Sequence, residues 1–236
     1  ADKGAREERE EDEEPHDATH PRAEPSSVSG GAALAAVAVC FDEEEERLAK
    51  HGLAADFAAG LAELGKRFEH FEVVEMPPDH HFASRQEPPL NQRQFMSKIQ
   101  KEWALLRSSL PPGIFCQSYE DRMDLLRAAV VGPYGTPYQE AVFFFDIQLP
   151  PDYPNTPPRV YYWAHGDRLN PNLYECGKVC LSLLGTWAGS GPESWHPTTS
   201  NILQVLISIQ GLILVPEPYF NEPSYEAQRA TDDGKA

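Results

Sequence analysis

One short run constrains this chain more than any other. Ile202, Val205, Leu206, Ile209, Leu212 and Ile213 recur at helical spacing in a stretch that is almost wholly apolar. A helix apolar on all sides has to be buried. The run is far shorter than the roughly 18 apolar residues that a membrane crossing needs, and no other run approaches that length. It therefore predicts the core helix of a globular domain, with Thr198, Thr199 or Ser200 as its N-cap.

The segments upstream supply what such a helix must pack against. Asn91 can cap a helix in which Phe95, Ile99, Trp103, Leu106 and Leu110 share one face, ended by Pro111-Pro112-Gly113. Four strand-like runs follow, Ile114–Tyr119, Met123–Val131, Val142–Leu149 and Arg159–Trp163, rich in β-branched and aromatic residues and parted by Pro and Gly. The order helix, strands, long loop, helix predicts an α+β fold, an antiparallel four-stranded meander packed on helices.

Charge is unevenly shared. The chain of 236 residues has 37 Asp and Glu against 20 Lys and Arg, a net of −17. Residues 1–89 hold 22 acids and 9 bases, leaving 15 and 11 for the remainder, so −13 lies in the first part and −4 in the second. This balance excludes a basic nucleic-acid clamp and docking on an anionic membrane surface. Residues 1–30 have no Leu, Ile, Phe, Tyr or Trp and cannot offset the entropy of ordering. We read 1–41 as a disordered acidic segment. The range 42–90 reads as a partly helical extension, with Leu53, Phe57, Leu61, Leu64 and Phe68 on one face, followed by a Pro-rich connector. His80 and His81 lie in that connector, where a His pair is expected to be solvated. The compact domain is placed at 91–236. The chain begins at Ala1, as a processed or partial product would.

The stretch 164–197 predicts a long loop, and such a loop in a compact domain is usually functional. It holds Asn172, Cys176 and Cys180. A Cys between Val179 and Leu181 reads more often as a buried hydrophobe than as a nucleophile. Cys176 and Cys180 with His165 or His196 would make a zinc site only without the paired spacing usual for one. Four cysteines in this length do not make a disulfide scaffold, so reduced thiols in the cytoplasm or nucleus are expected.

Several strings in fixed order give Cys180 a different meaning. They are Gly132-Pro133-Tyr134-Gly135-Thr136-Pro137-Tyr138, Val142-Phe143-Phe144-Phe145-Asp146-Ile147, Tyr153-Pro154, Pro157-Pro158-Arg159-Val160, Asn170-Pro171-Asn172, Gly177-Lys178-Val179-Cys180-Leu181 and Trp195-His196-Pro197. Together they resemble the core of the ubiquitin-conjugating enzymes, the E2 family. Arg122-Met123-Asp124-Leu125-Leu126, Leu183-Leu184-Gly185-Thr186-Trp187 and Tyr219-Phe220-Asn221-Glu222-Pro223 carry a closer likeness. It is to the large E2/E3-hybrid class that includes the plant phosphate-homeostasis conjugating enzyme.

The resemblance implies a ubiquitin-conjugating (UBC) fold and a function. Cys180 would take ubiquitin from the activating enzyme E1 as a thioester and pass it to lysines of protein substrates. Asn172 would stabilise the oxyanion or order its loop, and Glu222 would orient the incoming amine. Lys98 and Lys101 on the first helix are implied E1 contacts, with Asn155 and Pro197 on the ligase side. Where family members place an aromatic for RING ligases this chain has Asn155, which implies weak RING binding. The resemblance implies no cofactor on the chain itself, since ATP and Mg²⁺ serve E1. An inert ubiquitin-binding adaptor is the alternative. Asn170 stands where the family has His, and Glu140 and Ala141 replace its paired glycines. Only 14 residues follow Glu222 (236 − 222), so the family's last helices are expected to be truncated.

Overall fold

The computed structural model describes residues 52–186 and 194–221. The expected disordered segment 1–41, the start of the extension, Glu222 and the expected C-terminal truncation lie outside them.

Helix α1 spans Gly52–Arg67 and strand β1 Phe71–Val74. Helix α2 spans Gln92–Ser109, and Asn91 accepts from the Gln94 N–H at 3.1 Å as its cap. Strands β2 Ile114–Tyr119, β3 Leu125–Val131, β4 Val142–Gln148 and β5 Arg159–Tyr162 follow, each within a residue or two of its sequence expectation. Helix α3 spans Ile202–Ser208 and widens into a π-helical turn over Ile209–Ile213.

The sheet has five strands in the order β1-β2-β3-β4-β5. The antiparallel meander β2–β5 is present, and β1 adds to its edge in parallel, with Phe71 opposite Cys116 and Val74 opposite Tyr119. The sheet is therefore mixed, and the stretch expected to be only a connector contributes a strand. Four residues between a helix and a proline pair leave too short a period to read as β.

The cap of α3 also differs from expectation. Asn201 accepts from the Gln204 N–H at 2.9 Å while Gln204 accepts from the Asn201 N–H at 3.1 Å, a reciprocal capping box. Ser200 instead accepts from the His196 N–H at 2.9 Å and holds the preceding turn. The apolar run is buried as expected except at Leu212, which is 50% exposed in the π-helical turn. Ile202, Val205, Leu206 and Ile209 have no exposed surface and pack with Ile114, Leu126, Phe145 and Ile147 from the inner sheet face and Ile99 and Leu106 from α2. Truncating any one of these to Ala removes a full side chain from a closed core, a change that costs about 2–5 kcal/mol.

The outer sheet face carries a strap, residues 79–87. His80 donates through Nε2 to Leu126 O at 3.0 Å, and its Nδ1 accepts from the Phe82 N–H. The His81 N–H donates to Asp146 Oδ2 at 2.7 Å, and its ring stacks on Tyr161 at 3.6 Å. Arg122 donates to Ala83 O and Arg85 O. His80 is thus buried rather than solvated, because Leu126 O on β3, Asp146 on β4 and the Tyr119 ring surround it.

Candidate active site

The segment before Cys180 is a tight turn folded against β5. The Gly177 N–H donates to Tyr174 O at 2.9 Å, the Tyr162 N–H donates to Gly177 O at 2.8 Å, and Lys178 bridges to Tyr161. Gly177 has φ +85°, and a Cβ there would meet the Tyr161 ring at 2.0 Å, so only glycine fits. The turn delivers Val179 beside Leu173 and Cys180 beside Asn172.

Asn172 and Cys180 are locked to each other. The Cys180 N–H donates to Asn172 O at 2.8 Å, and Asn172 Nδ2 donates to Cys180 O at 2.9 Å. Asn172 Oδ1 is buried without a partner. Asn170, in the place of the family's His, is itself buried. It accepts from the Asn172 N–H at 2.8 Å and donates to Tyr138 Oη and to Ile213 O, both at 2.8 Å. A three-link chain thus runs from the end of the core helix through Asn170 and Asn172 to Cys180.

Cys180 as a residue is 2% exposed. Cys116 faces the core, and burial pushes its thiol up to about 12, which makes it inert at neutral pH. Cys176 is exposed. Among the described residues no group of three or more His, Cys, Asp or Glu converges to hold a metal ion.

On the far side of Cys180 a short 3₁₀ turn, Ser182–Leu184, brings the chain back so that Thr186 meets it. The Thr186 hydroxyl donates to Val179 O at 2.6 Å and accepts from the Leu181 N–H at 3.0 Å. The sequence shows Thr186 only as part of the Leu183–Trp187 string, with no role of its own.

The remaining site residues fall into a second group. Lys98 pairs with buried Glu102 at 2.9 Å and sits 5.8 Å from the Tyr153 ring centroid. Trp195 packs on Tyr153 and donates to Pro154 O at 2.7 Å. Asn155 is exposed on the turn after Pro154, Pro197 is half-buried two residues past Trp195, and Lys101 is exposed on α2. The structure therefore gathers Lys98, the Asn155 turn and the Pro197 segment on one side, apart from Cys180 and Asn172 in hydrogen bonding. The hairpin between β3 and β4 keeps a left-handed residue despite its missing glycines, with Glu140 at φ +64°.

Comparison with known proteins gives this arrangement a family. A family model described as "Ubiquitin-conjugating enzyme" matches residues 98–232. The chain is 54% identical over 168 residues to "Probable ubiquitin-conjugating enzyme E2 23" of Arabidopsis thaliana, covering 71% of this chain and 15% of that protein. It is 41% identical over 185 residues to "Dual E2 ubiquitin-conjugating enzyme/E3 ubiquitin-protein ligase BIRC6" of Homo sapiens, covering 71% of this chain and 4% of that protein. The chain thus spans a small part of the length of these relatives. A solved Plasmodium vivax ubiquitin conjugating enzyme E2 is 28% identical with a TM-score of 0.41, covering 48% of this chain and 94% of that one.

Proposed function

The chain belongs to the ubiquitin-conjugating enzyme family and has its α+β fold, and from that premise we propose that Cys180 carries ubiquitin as a thioester. The Cys180 thiolate attacks the thioester carbonyl of ubiquitin on E1; the carbon–sulfur bond to Cys180 forms, and the E1 cysteine leaves as thiolate. A substrate lysine, as free amine, then attacks the same carbonyl. The nitrogen gives up a proton to solvent, and the tetrahedral oxyanion collapses to an isopeptide and expels the Cys180 thiolate. Exchange between thioesters is near energy-neutral, so the chain needs no energy source of its own.

The single observation that carries this reading is the reciprocal lock between Asn172 and Cys180. It puts an amide donor against the peptide of the candidate nucleophile, and its Nδ2 has a second N–H to offer. A donor aimed where negative charge develops is worth about 2.7–4 kcal/mol of barrier. The same bond supports the loop-ordering role for Asn172, so both roles fit one position. Glu222 completes the proposal as the acid near the incoming amine. Lys98 and Lys101 are the proposed E1 contacts, Lys101 with the freer side chain.

The test is a charging reaction with E1, ubiquitin, ATP and Mg²⁺ on a non-reducing gel. A thiol-sensitive adduct is expected, and Cys180→Ala should abolish it. A folded protein without an adduct would sink the enzyme reading and leave the ubiquitin-binding adaptor. Transfer to lysine is expected without a RING ligase, and adding one should not accelerate it, since Asn155 offers no aromatic anchor.

A further inference from the structure

Resting on the reading of Cys180 as the thioester residue, we propose that Thr186 is a positioning residue for transfer, holding the two peptide groups that flank Cys180 through one hydroxyl. Its Oγ1 donates to Val179 O at 2.6 Å and accepts from the Leu181 N–H at 3.0 Å. With the Cys180 N–H on Asn172 O and Asn172 Nδ2 on Cys180 O, the backbone from 179 to 181 is held from both sides. Cys180 therefore has little freedom to rotate about its own backbone.

This arrangement has a chemical consequence. In many acyl-transfer sites the N–H of the residue after the nucleophile points into the oxyanion hole. Here that N–H belongs to Leu181, and Thr186 occupies it. The N–H of Cys180 itself is occupied by Asn172 O. The backbone is withdrawn from oxyanion duty on both sides of the sulfur, and the burden passes to the Asn172 side chain. Thr186 sets the angle at which the thioester carbonyl meets that amide. Its side chain is six residues from Cys180, on a segment whose return is enforced by Gly185 at φ +65° closing the 3₁₀ turn. It touches no reacting atom, so its effect runs through Cys180.

Thr186→Val keeps the shape and removes the hydroxyl; Thr186→Ser keeps the hydroxyl and removes the methyl. In single-turnover discharge of the charged protein to free lysine, Thr186→Val is expected to lower the maximal rate on the order of tenfold, since small misplacements of reacting groups are costly. The half-saturating lysine concentration should stay unchanged, because nothing that binds lysine is altered. Thr186→Ser should restore the rate. A Thr186→Val protein that discharges at the wild-type rate, or a Thr186→Ser protein as slow as Thr186→Val, would overturn the proposal. Should Thr186→Val not fold, Thr186→Ala serves as the second hydroxyl-free variant.

A readout without ubiquitin separates this idea from the thioester reading. Alkylation by iodoacetamide, followed by mass at Cys180 and Cys176, should speed up several-fold at Cys180 alone when the hydroxyl is lost. If the wild-type protein takes no ubiquitin, the thioester reading fails while this alkylation still reports the clamp. If Cys180 alkylation is the same with and without the hydroxyl, the clamp itself is refuted.

Discussion

At the scale of single residues, the site depends on contacts that leave no room for change. Gly177 is the clearest case. Its missing Cβ is the space in which the Tyr161 ring lies, and that ring is itself stacked on His81 at 3.6 Å and met edge-on by Trp163 at 5.6 Å. The ring cannot step aside cheaply, and φ +85° adds strain for any L side chain. Gly177→Ala is expected to cost about 3 kcal/mol in urea unfolding, the upper end of the range for overpacked sites. It should also disorder the turn that delivers Cys180. A loss below about 1 kcal/mol would show that the turn relaxes freely. Glu140 is the opposite case, an L residue tolerated at φ +64° where the hairpin still demands that conformation.

At the scale of elements, Glu102 joins what the chain order separates. Its Oε2 accepts from the Ile202 N–H at 3.0 Å, so a carboxylate on α2 answers the first N–H of α3, 100 residues away. Its Oε1 accepts from Tyr153 Oη at 2.8 Å, and Lys98 lies 2.9 Å off. Burial, then the adjacent Glu102 carboxylate, holds the Tyr153 hydroxyl protonated well above its usual range. Removing the carboxylate strands a backbone donor and a phenol in a closed interior. Glu102→Ala is expected to destabilise by about 3–5 kcal/mol in chemical unfolding, and Glu102→Gln by clearly less. Equal losses would show that packing, not polarity, holds the two helices. The strands β2–β5 and the helices α2 and α3 were legible in the sequence because each has a local period or punctuation. Glu102 was not, because nothing about a Glu on a helix face announces that a distant N–H lies opposite. β1 and the burial of His80 were hidden for the same reason: both are decided by the sheet they meet. The Cys180 segment was legible through its motif, and Asn172 through its interval to Cys180. The Thr186 contacts depend on a turn closed by Gly185, which no periodicity reveals.

At the scale of the whole molecule, the strap makes global stability depend on pH. Burial holds the His80 imidazole below its ordinary 6.5, more than the nearby Asp146 charge raises it. The unfolded chain therefore takes up a proton at a pH where the folded chain does not, and stability falls as pH drops below about 6.5 toward the lower folded value. His81 is exposed, and its partial desolvation in the stack on Tyr161 acts weakly in the same direction. Asp146 works in a separate window: burial raises its pKa, but Arg127 and the His81 N–H outweigh that and hold it below 3.8. Thermal melts at pH 7.5, 6.5 and 5.5 should show Tm nearly level at first and then falling, and His80→Gln should flatten the slope. A slope unchanged by His80→Gln would place the effect elsewhere. The net of −17 also looks different once the fold is known, since most of it lies upstream of the sheet. That flank meets the body first through α1, where Phe57 lies 5.9 Å from the Tyr134 ring and Leu61 sits against Gly113, and then through β1, whose four residues run parallel to Cys116–Tyr119. A tug on the flank would first strip the side-chain contacts of α1, and then, along the strand axis, load the hydrogen bonds of β1 together, in shear, before it reached the strap behind them. The joint between appendage and body is therefore built as a mechanical fastener, stiff to a lengthwise pull and weak to a sideways peel.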